Sequence, residues 1–374
     1  MARTLYVTEP LLPNLTELQE LLEQIWQTKI LTNGGPLHQK LERELQKRVG
    51  VPTVKLFNNG TIALIVALKV VDLPLGSEVI TTPLTFAATA HAISWNGLMP
   101  IFVDVSPGTL TIDPASVERA ITERTSAILA VHVYGTVCDV EALKCIADRH
   151  NLRLIYDAAH AFGVTVNGES IAAFGDVSVF SFHATKLFNT LEGGLIATPR
   201  NDDGEAIENL RNFGIKNEEE VVCVGINGKL NEVQAAVGLL NLPRVDGERE
   251  RRALLRAKYD EMMGLLPGIA VQKKQPGVVN SEQYYRIVVD AEVFGRSRND
   301  LYDALKDRGI FARKYFHPIC TDFVPYKGWP IYTTRSSPYV DIVKTQVLCL
   351  PFHSGVTDED VAEIRDVFWT GRSV

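Results

Sequence analysis

From residue 53 to residue 198 the chain alternates short apolar runs with segments of helical character, and few folds accommodate such an alternation. The runs are nearly continuous in Val, Ile, Leu and Phe, which is typical of strands that are covered on both faces. The runs span residues 53–57, 78–82, 100–105, 127–133, 152–157, 177–182 and 194–198. Because helical segments separate them, they predict an α/β domain with a mainly parallel sheet of seven strands.

The flanking segments predict two further units. Residues 14–27 and 37–50 have the pattern of amphipathic helices ahead of the first strand. A long charged helix over 245–266 is followed by shorter strand and helix patterns, which predict a smaller α+β domain. Since 374 residues are many for a single core, we expect a large domain over residues 1–245, with the N-terminal helices, and a small C-terminal domain over residues 246–374.

The composition argues against several classes of function. With a net charge of −7 and no basic patch, the chain lacks the electrostatic signature of a nucleic-acid-binding protein. No apolar run approaches the roughly 18 residues of a membrane span, and the N-terminus has no signal-peptide pattern. We therefore expect a cytoplasmic protein without a membrane partner. The five cysteines are scattered without a CxxC pair, so neither a metal site nor a disulfide is expected.

The polar segment after the first predicted strand is the first place to look for a site, because ligands of open α/β sheets bind beyond the carboxyl ends of the strands. It reads FNNGTIAL over residues 57–64. Gly60 and Thr61 would stand at the start of a helix, where backbone N–H groups and a glycine that permits close approach can bind an anion. A plain helix-capping turn explains the segment equally well, and it matches neither a Walker A nor a GxGxxG motif.

Two further segments at the same sheet edge carry ionisable side chains. Asp157 ends the fifth run and His160 follows it. A carboxylate at this place would be costly without a cationic partner, although an N-cap aspartate is a common alternative. Ser181 lies at the end of the sixth run and Lys186 follows it. A lysine that is withdrawn from water loses its proton more readily and becomes a nucleophile toward aldehydes. For one such lysine alone, a solvated charge would be the default interpretation.

The three segments together match one cofactor. Pyridoxal 5′-phosphate (PLP) offers a phosphate for the anion site, a pyridine nitrogen for the carboxylate and an aldehyde for the lysine. Each segment alone is commonplace, but their placement after three strands of one sheet favours PLP over a purely structural explanation.

Eight motifs occur together along the chain: LTNGGP, FNNGTIAL, TTPLTFAAT, VHVYGTVCDV, YDAAHAFG, SFHATKLFNTLEGG, GINGKLNEVQAAVGL and KYFHPIC. With them, nearly the whole chain resembles the DegT–StrS family of sugar-nucleotide aminotransferases, which are fold-type I PLP enzymes. The run SFHATK with DAAHA upstream is the most specific part of the resemblance. The combination of VHVYG, HAFG and LTNGGP is most similar to members that aminate carbon 4 of dTDP-4-keto-6-deoxyglucose.

The resemblance implies a role for each residue of the cofactor site. Lys186 would bind the PLP aldehyde and then move the proton, with pyridoxamine 5′-phosphate (PMP) as the aminated form of the cofactor. Asp157 would keep the pyridine nitrogen protonated, and His160 would lie near the phenolic oxygen and the phosphate. The phosphate would be bound by Gly60, Thr61 and Ser181. Phe86 would stack on the ring, although plain core packing explains this residue equally well.

The resemblance also implies residues for the substrate and for a partner subunit. Asn227 corresponds to an asparagine that crosses a dimer interface to the neighbouring PLP phosphate, so we expect a homodimer with shared active sites. Asn33, Tyr315 and His317 would line the sugar-nucleotide pocket, although exposed aromatics and single histidines are more often structural. Glu192 is given no catalytic role, whereas the two glycines after it are expected to let the next strand start close to the cofactor loop.

The implied activity is the transfer of an amino group from L-glutamate to the C4 ketone of a nucleotide-linked 4-keto-6-deoxyhexose. The product would be an amino sugar nucleotide for a surface polysaccharide such as the O-antigen of lipopolysaccharide. Amination at C3 by the same motifs stays open. A dehydratase is disfavoured, because such relatives carry histidine in place of Lys186. A non-catalytic PLP-binding regulator is the third alternative, and the presence of both Lys186 and Asp157 argues against it.

Overall fold

The structure is a computed structural model that describes residues 4–370. Its strands are β1 (Leu5–Tyr6), β2 (Thr53–Phe57), β3 (Glu78–Thr81), β4 (Met99–Val103), β5 (Thr125–Val131), β6 (Arg153–Asp157), β7 (Thr165–Val166), β8 (Glu169–Ser170), β9 (Val177–Ser181), β10 (Gly194–Thr198), β11 (Ile269–Val271), β12 (Val278–Val279), β13 (Tyr285–Val289), β14 (Ile310–Phe311), β15 (Ile331–Tyr332) and β16 (Val347–Leu350). Its α-helices are α1 (Leu15–Thr28), α2 (Pro36–Val49), α3 (Gly60–Val70), α4 (Ala87–Trp95), α5 (Pro114–Ala120), α6 (Val140–His150), α7 (Asp203–Arg211), α8 (Glu232–Asn241), α9 (Val245–Met263), α10 (Ala291–Phe294), α11 (Arg298–Asp307), α12 (Tyr339–Val343) and α13 (Asp358–Trp369). Among the helices of residues 4–370, none combines the length and the apolarity that crossing a membrane requires.

The large sheet has eight strands in the order β15–β4–β3–β5–β6–β9–β10–β2. Neighbours from β15 to β9 run parallel, whereas β10 runs antiparallel to both β9 and β2. The α/β class and the mainly parallel sheet are thus confirmed, and all seven predicted strands are present. The predicted number of strands is one too few, because β15 is a two-residue strand at the sheet edge and is too short to leave a pattern in the sequence.

Successive residues of the central strands pack into two different hydrophobic clusters, one on each face of the sheet. In β6, Leu154 and Tyr156 belong to the cluster that includes Leu143 of α6. Ile155, which lies between them, belongs to the cluster that includes Leu64 of α3. Because both faces are covered by helices, the interior positions of such a strand are mostly apolar. This explains why the strands appear in the sequence as continuous apolar runs.

A further hydrophobic cluster forms around the three-stranded antiparallel sheet β11–β13–β16. It includes Tyr259 of α9, Leu301 of α11 and Ile364 of α13. Leu5 of β1 belongs to it as well, since β1 pairs in parallel with β14. The N-terminal residues therefore help to bury the C-terminal core, and the division of the chain at residue 245 stays a prediction.

The buried side chain of Asp104 joins the C-terminal part of the chain to the edge of the large sheet. Asp104 directly follows β4 and is fully withdrawn from solvent. Its two oxygens accept hydrogen bonds of 2.8–3.2 Å from the Thr333 hydroxyl, from Nη1 of Arg335 and from the main-chain N–H groups of Val105, Tyr339 and Val340. Because two of these donors open α12, the carboxylate also caps that helix.

Replacing Asp104 by asparagine tests this connection. The amide of Asp104→Asn turns an NH2 group toward donors, so we expect the free energy of unfolding to fall by about 3 kcal/mol. Asp148→Asn is the matched control, because Asp148 pairs with Lys144 on the exposed surface of α6, where an ion pair contributes about 0.5 kcal/mol. Urea unfolding followed by circular dichroism measures both variants. Equal losses in the two would contradict the role of Asp104.

Candidate active site

A cavity of about 780 Å³ lies beyond the carboxyl ends of β2, β6 and β9. These ends meet because β2 and β9 both pair with β10, and β6 pairs with β9. Eight of the residues that the sequence predicts for the site line this cavity, namely Gly60, Thr61, Phe86, Asp157, His160, Ser181, Lys186 and Tyr315. Motifs that are far apart in the sequence therefore converge on one pocket.

The turn before α3 is both a helix cap and a tight packing point. The side chain of Asn59 accepts a hydrogen bond of 2.8 Å from the N–H of Ile62, so Asn59 caps a helix that begins at Gly60. The first N–H groups of a helix have no partner within it, which leaves those at the start of α3 free to bind an anion. A Cβ atom on Gly60 would lie 3.0 Å from Cβ of Ser181, which is closer than side chains ordinarily pack.

A second glycine brings β10 close to the same turn. A Cβ atom on Gly194 would lie 2.6 Å from the carbonyl oxygen of Asn59 and 2.8 Å from the nitrogen of Gly60. Only a residue without a side chain allows this approach. Of the two glycines after Glu192, Gly194 therefore lets β10 start close to the turn before α3 as expected, and the role of this turn in cofactor binding stays a prediction.

Asp157 ends β6 at the floor of the cavity, and its side chain is 4% exposed. Its oxygens accept hydrogen bonds from the Thr89 hydroxyl at 2.7 Å and from the N–H of Ala159 at 3.1 Å. Burial raises the pKa of this carboxyl, and the two hydrogen bonds and the charge of Lys186 oppose the rise. The site can therefore stabilise a further positive charge against Asp157.

Lys186 lies in the loop between β9 and β10, and its amine points toward aromatic surface. Its Nζ atom lies 5.9 Å from the ring centroid of Tyr284. Burial lowers the pKa of this amine from 10.5 to about 8, although the carboxylate of Asp157 acts in the opposite direction. A substantial fraction of the amine is therefore neutral near physiological pH, which is the form that attacks an aldehyde.

The structure fixes the tautomer of His160. Nδ1 of its buried ring accepts a hydrogen bond of 3.2 Å from the main-chain N–H of Tyr134, so the ring proton of the neutral form lies on Nε2. The ring stacks on Phe316 at 5.6 Å between centroids and meets the edge of Tyr284 at 5.1 Å. Burial and the charge of Lys186 hold the pKa of His160 well below its usual value. His160 is therefore a neutral residue with an N–H donor at Nε2.

Two aromatic residues form walls of the cavity. Phe86 is the N-cap residue of α4, lines the cavity and is 60% exposed. Such exposure of a large apolar ring favours a stacking role over core packing. The ring of Tyr315 stacks on Phe316 at 5.1 Å, and the carbonyl oxygen of Tyr315 accepts a hydrogen bond of 2.6 Å from the hydroxyl of Tyr134.

Three of the predicted residues do not line the cavity. Asn33, Asn227 and His317 are exposed on the surface of the single chain. The main chain of Asn227 is nevertheless close to the turn before α3, because its carbonyl oxygen accepts a hydrogen bond of 3.5 Å from the side chain of Asn58. The roles predicted for these three residues stay predictions.

Several residues line the cavity that the sequence did not point to, among them Tyr284, Arg313 and Glu192. Arg313 is the only arginine among the described lining residues, and its position next to the KYFHPIC motif is a signal that could have identified it. Glu192, which has no predicted catalytic role, lines the cavity with its carboxylate 3.6 Å from Nε2 of His183. Tyr284 gave no signal, because it lies in a segment with the pattern of an ordinary strand.

These groups fit PLP. The start of α3 and the Ser181 hydroxyl would bind its phosphate, the carboxylate of Asp157 its ring nitrogen, Phe86 its ring face and Lys186 its aldehyde. The close approach of Gly60 to Ser181 brings the two phosphate-binding elements together. Within residues 4–370, no group of three or more His, Cys, Asp or Glu side chains is arranged to hold a metal ion.

Comparison with known proteins agrees with this site. The family model described as the DegT/DnrJ/EryC1/StrS aminotransferase family matches residues 14–368. A dTDP-4-amino-4,6-dideoxy-D-glucose transaminase of Shigella dysenteriae is 43% identical over 371 residues, which cover 98% of this chain and 100% of that protein. The transaminase of the same name from Escherichia coli is 41% identical, with 97% of each chain covered.

A solved structure of a similar protein supports the same assignment. DesI, analysed in the presence of its TDP-sugar product, superimposes with a TM-score of 0.92 at 35% identity, over 98% of this chain and 92% of that chain. The aminotransferases of the matching family depend on PLP. This chain belongs to the DegT/DnrJ/EryC1/StrS family of PLP-dependent aminotransferases.

Proposed function

We propose that this enzyme transfers an amino group from L-glutamate to the C4 ketone of dTDP-4-keto-6-deoxyglucose. The observation that carries the proposal is that Lys186, Asp157 and the start of α3 line one cavity. The position of amination is supported by the names of the two transaminases that are 41–43% identical over nearly the whole chain. The product would be an amino sugar nucleotide.

The residues of the cavity have different roles in such a transfer. When bound, PLP supplies an aldehyde that accepts the amino group and a ring that withdraws electrons. Asp157 would keep a positive charge on the ring nitrogen, and Nε2–H of His160 would be available to donate a hydrogen bond to the phenolic oxygen. With a pKa of about 8, the amine of Lys186 both takes up and releases a proton near neutral pH.

Arg313 supplies a positive charge for the anionic groups of the substrates. Its guanidinium lies 5.6 Å from the ring centroid of Tyr315 at the wall of the cavity. Both the diphosphate of a nucleotide sugar and the carboxylates of glutamate suit an arginine, which binds such groups with two parallel hydrogen bonds. Asn33 and His317 are assigned to the same nucleotide-sugar pocket, together with Tyr315.

We further propose that the enzyme forms a homodimer in which Asn227 reaches the phosphate site of the neighbouring subunit. Asn227 lies in a segment with exposed apolar side chains, including Val221 and Val224, which are 68% and 90% exposed. Exposed apolar groups of this density favour burial against another chain. We also propose that the enzyme is cytoplasmic. Its product would be used in a surface polysaccharide such as the O-antigen of lipopolysaccharide.

The proposed activity can be tested in a half-reaction. The enzyme is converted to its PMP form with L-glutamate, freed of amino acid and mixed separately with the 4-keto and the 3-keto 6-deoxyhexose nucleotide. We expect only the 4-keto sugar to restore the absorbance of the lysine-bound cofactor, and Lys186→Ala to give no conversion. Restoration by the 3-keto isomer alone would move the amination to C3. A PMP form that neither sugar consumes would contradict both assignments.

The lowered pKa of Lys186 predicts the pH dependence of its reaction with aldehydes. In the cofactor-free enzyme, trapping of Lys186 by pyridoxal and borohydride should rise with pH around about 8, because the amine is protonated and unreactive below its pKa. Peptide mass mapping measures the labelled fraction, with the exposed Lys69 of α3 as internal reference. Labelling of Lys186 that rises only toward pH 10.5, the ordinary value, would show that burial does not activate it.

Asp157→Asn should separate catalysis from folding. The amide keeps the shape of the side chain but provides no negative charge for the ring nitrogen, so we expect turnover to fall by about 10³-fold or more. The free energy of unfolding should change little, because the amide oxygen can still accept from Ala159 and the Thr89 hydroxyl can accept from the amide NH2 group, whereas both oxygens of Asp104 face N–H donors. Steady-state kinetics and urea unfolding measure the two effects. Unchanged turnover would reduce Asp157 to a structural residue.

A further inference from the structure

The buried side chain of Gln283 binds the main chain on both sides of Lys186. Its Oε1 atom accepts a hydrogen bond of 2.7 Å from the N–H of Leu187, and its Nε2 atom donates one of 2.9 Å to the carbonyl oxygen of Thr185. Gln283 is 2% exposed. Since the N–H only donates and the carbonyl only accepts, the orientation of the amide is unambiguous.

The segment that contains Lys186 has little regular structure of its own. It connects β9 to β10 by turns, and the N–H of Lys186 bonds to the carbonyl of His183 at 2.9 Å. A loop of this kind needs hydrogen bonds from elsewhere to adopt one conformation. The two hydrogen bonds of Gln283 bracket the lysine itself.

Gln283 is in turn held by the C-terminal part of the chain. The carbonyl of Glu282 accepts a hydrogen bond of 3.3 Å from Arg252, and that of Tyr284 accepts one of 3.2 Å from Arg256. Both arginines are buried in α9. Ser281, which precedes Glu282, donates a hydrogen bond of 2.6 Å from its hydroxyl to the carbonyl oxygen of His160. The amide of Gln283 is therefore presented from a firmly held segment.

We propose that Gln283 is a positioning residue that holds the amine of Lys186 where it can capture the aldehyde of PLP. In that reaction the nitrogen of Lys186 bonds to the aldehyde carbon and one water leaves, so no oxidant or reductant is needed. The proposal rests on the assignment of Lys186 as the cofactor lysine. Loss of the two hydrogen bonds weakens the capture of the aldehyde but leaves the groups that bind phosphate and ring in place.

Gln275 offers a matched control on the same part of the chain. Its Oε1 accepts a hydrogen bond of 2.8 Å from the N–H of Val137, and its Nε2 donates one of 2.8 Å to the carbonyl of Val137. Gln275→Leu thus removes the same two kinds of hydrogen bond as Gln283→Leu. It does so at a residue that does not line the cavity.

The test compares the binding of PLP and PMP to the cofactor-free enzyme. PMP carries an amine in place of the aldehyde and cannot bond to a lysine, so the ratio of its Kd to that of PLP reports the contribution of Lys186. We expect Gln283→Leu to lower this ratio by about tenfold, as the loss of two hydrogen bonds implies, and Gln275→Leu to leave it unchanged. A Gln283→Leu protein with the wild-type ratio would overturn the proposal.

Lys186→Ala separates failure of this proposal from failure of the proposed function. If the wild-type enzyme and Lys186→Ala have the same ratio, Lys186 does not bind the cofactor, and both proposals fall. If the wild-type ratio exceeds that of Lys186→Ala while Gln283→Leu matches wild type, only the positioning role falls.

Gln283→Glu keeps the proposal testable if the leucine variant fails to fold. A protonated carboxyl can accept from Leu187 and donate to Thr185, whereas the ionised form can only accept. Burial raises the pKa of such a carboxyl, so lowering the pH from about 8 to about 5.5 should protonate it and restore the hydrogen bond to Thr185. The ratio of the two Kd values in Gln283→Glu should therefore be below the wild-type ratio at about pH 8 and approach it at about pH 5.5. A ratio that stays equally far below the wild-type ratio over this range would contradict the two-bond role of Gln283.

Discussion

Asp157 and Lys186 are two ionisable groups that the fold withdraws from water beside one cavity, and the chemistry of the site depends on the balance between them. Burial raises the pKa of the carboxyl and lowers that of the amine, and the charge of each group opposes the shift of the other. Thr89 and Ala159 stabilise the carboxylate by hydrogen bonds. A cation introduced beside Asp157 would offset the charge of its carboxylate, which raises the pKa of Lys186, and would favour the neutral form of the amine.

The topology of the sheet is what makes this balance possible. Asp157 and Ser181 end two adjacent parallel strands, and the antiparallel β10 places the turn after β2 on their other side. Two glycines complete the arrangement, since side chains on Gly60 or Gly194 would collide with Ser181 or with the turn. The strands and loops that surround Asp157 and Lys186 reduce the contact of the two groups with solvent, and this burial is the largest cause of their pKa shifts.

The sequence predicted most of the cofactor side of the site because its residues follow buried strands directly. Gly60, Asp157 and Ser181 each lie at or just beyond the end of such a strand, so the rule for strand ends brought them to one cavity, and their roles toward the cofactor stay predictions. Arg313 and Tyr284 enter the cavity from far along the chain, and no local pattern links a distant residue to a sheet edge. For Asn227, a motif identifies the loop but does not determine whether the side chain contributes to the site of its own chain or to that of a neighbouring subunit.

Local sequence patterns also fail to show which distant segments the C-terminal part of the chain contacts. A strand pattern at residues 284–289 predicts packing, but it does not show that the residues before it bind the loop of Lys186. Arg252 and Arg256 are buried with the carboxylates of Glu248 and Glu282, and such buried ion pairs often add little to stability compared with apolar residues. Their directed hydrogen bonds to main-chain carbonyls do fix the path of residues 282–284. Because apolar packing is not directional, it could not hold an amide in register with the two peptide groups around Lys186.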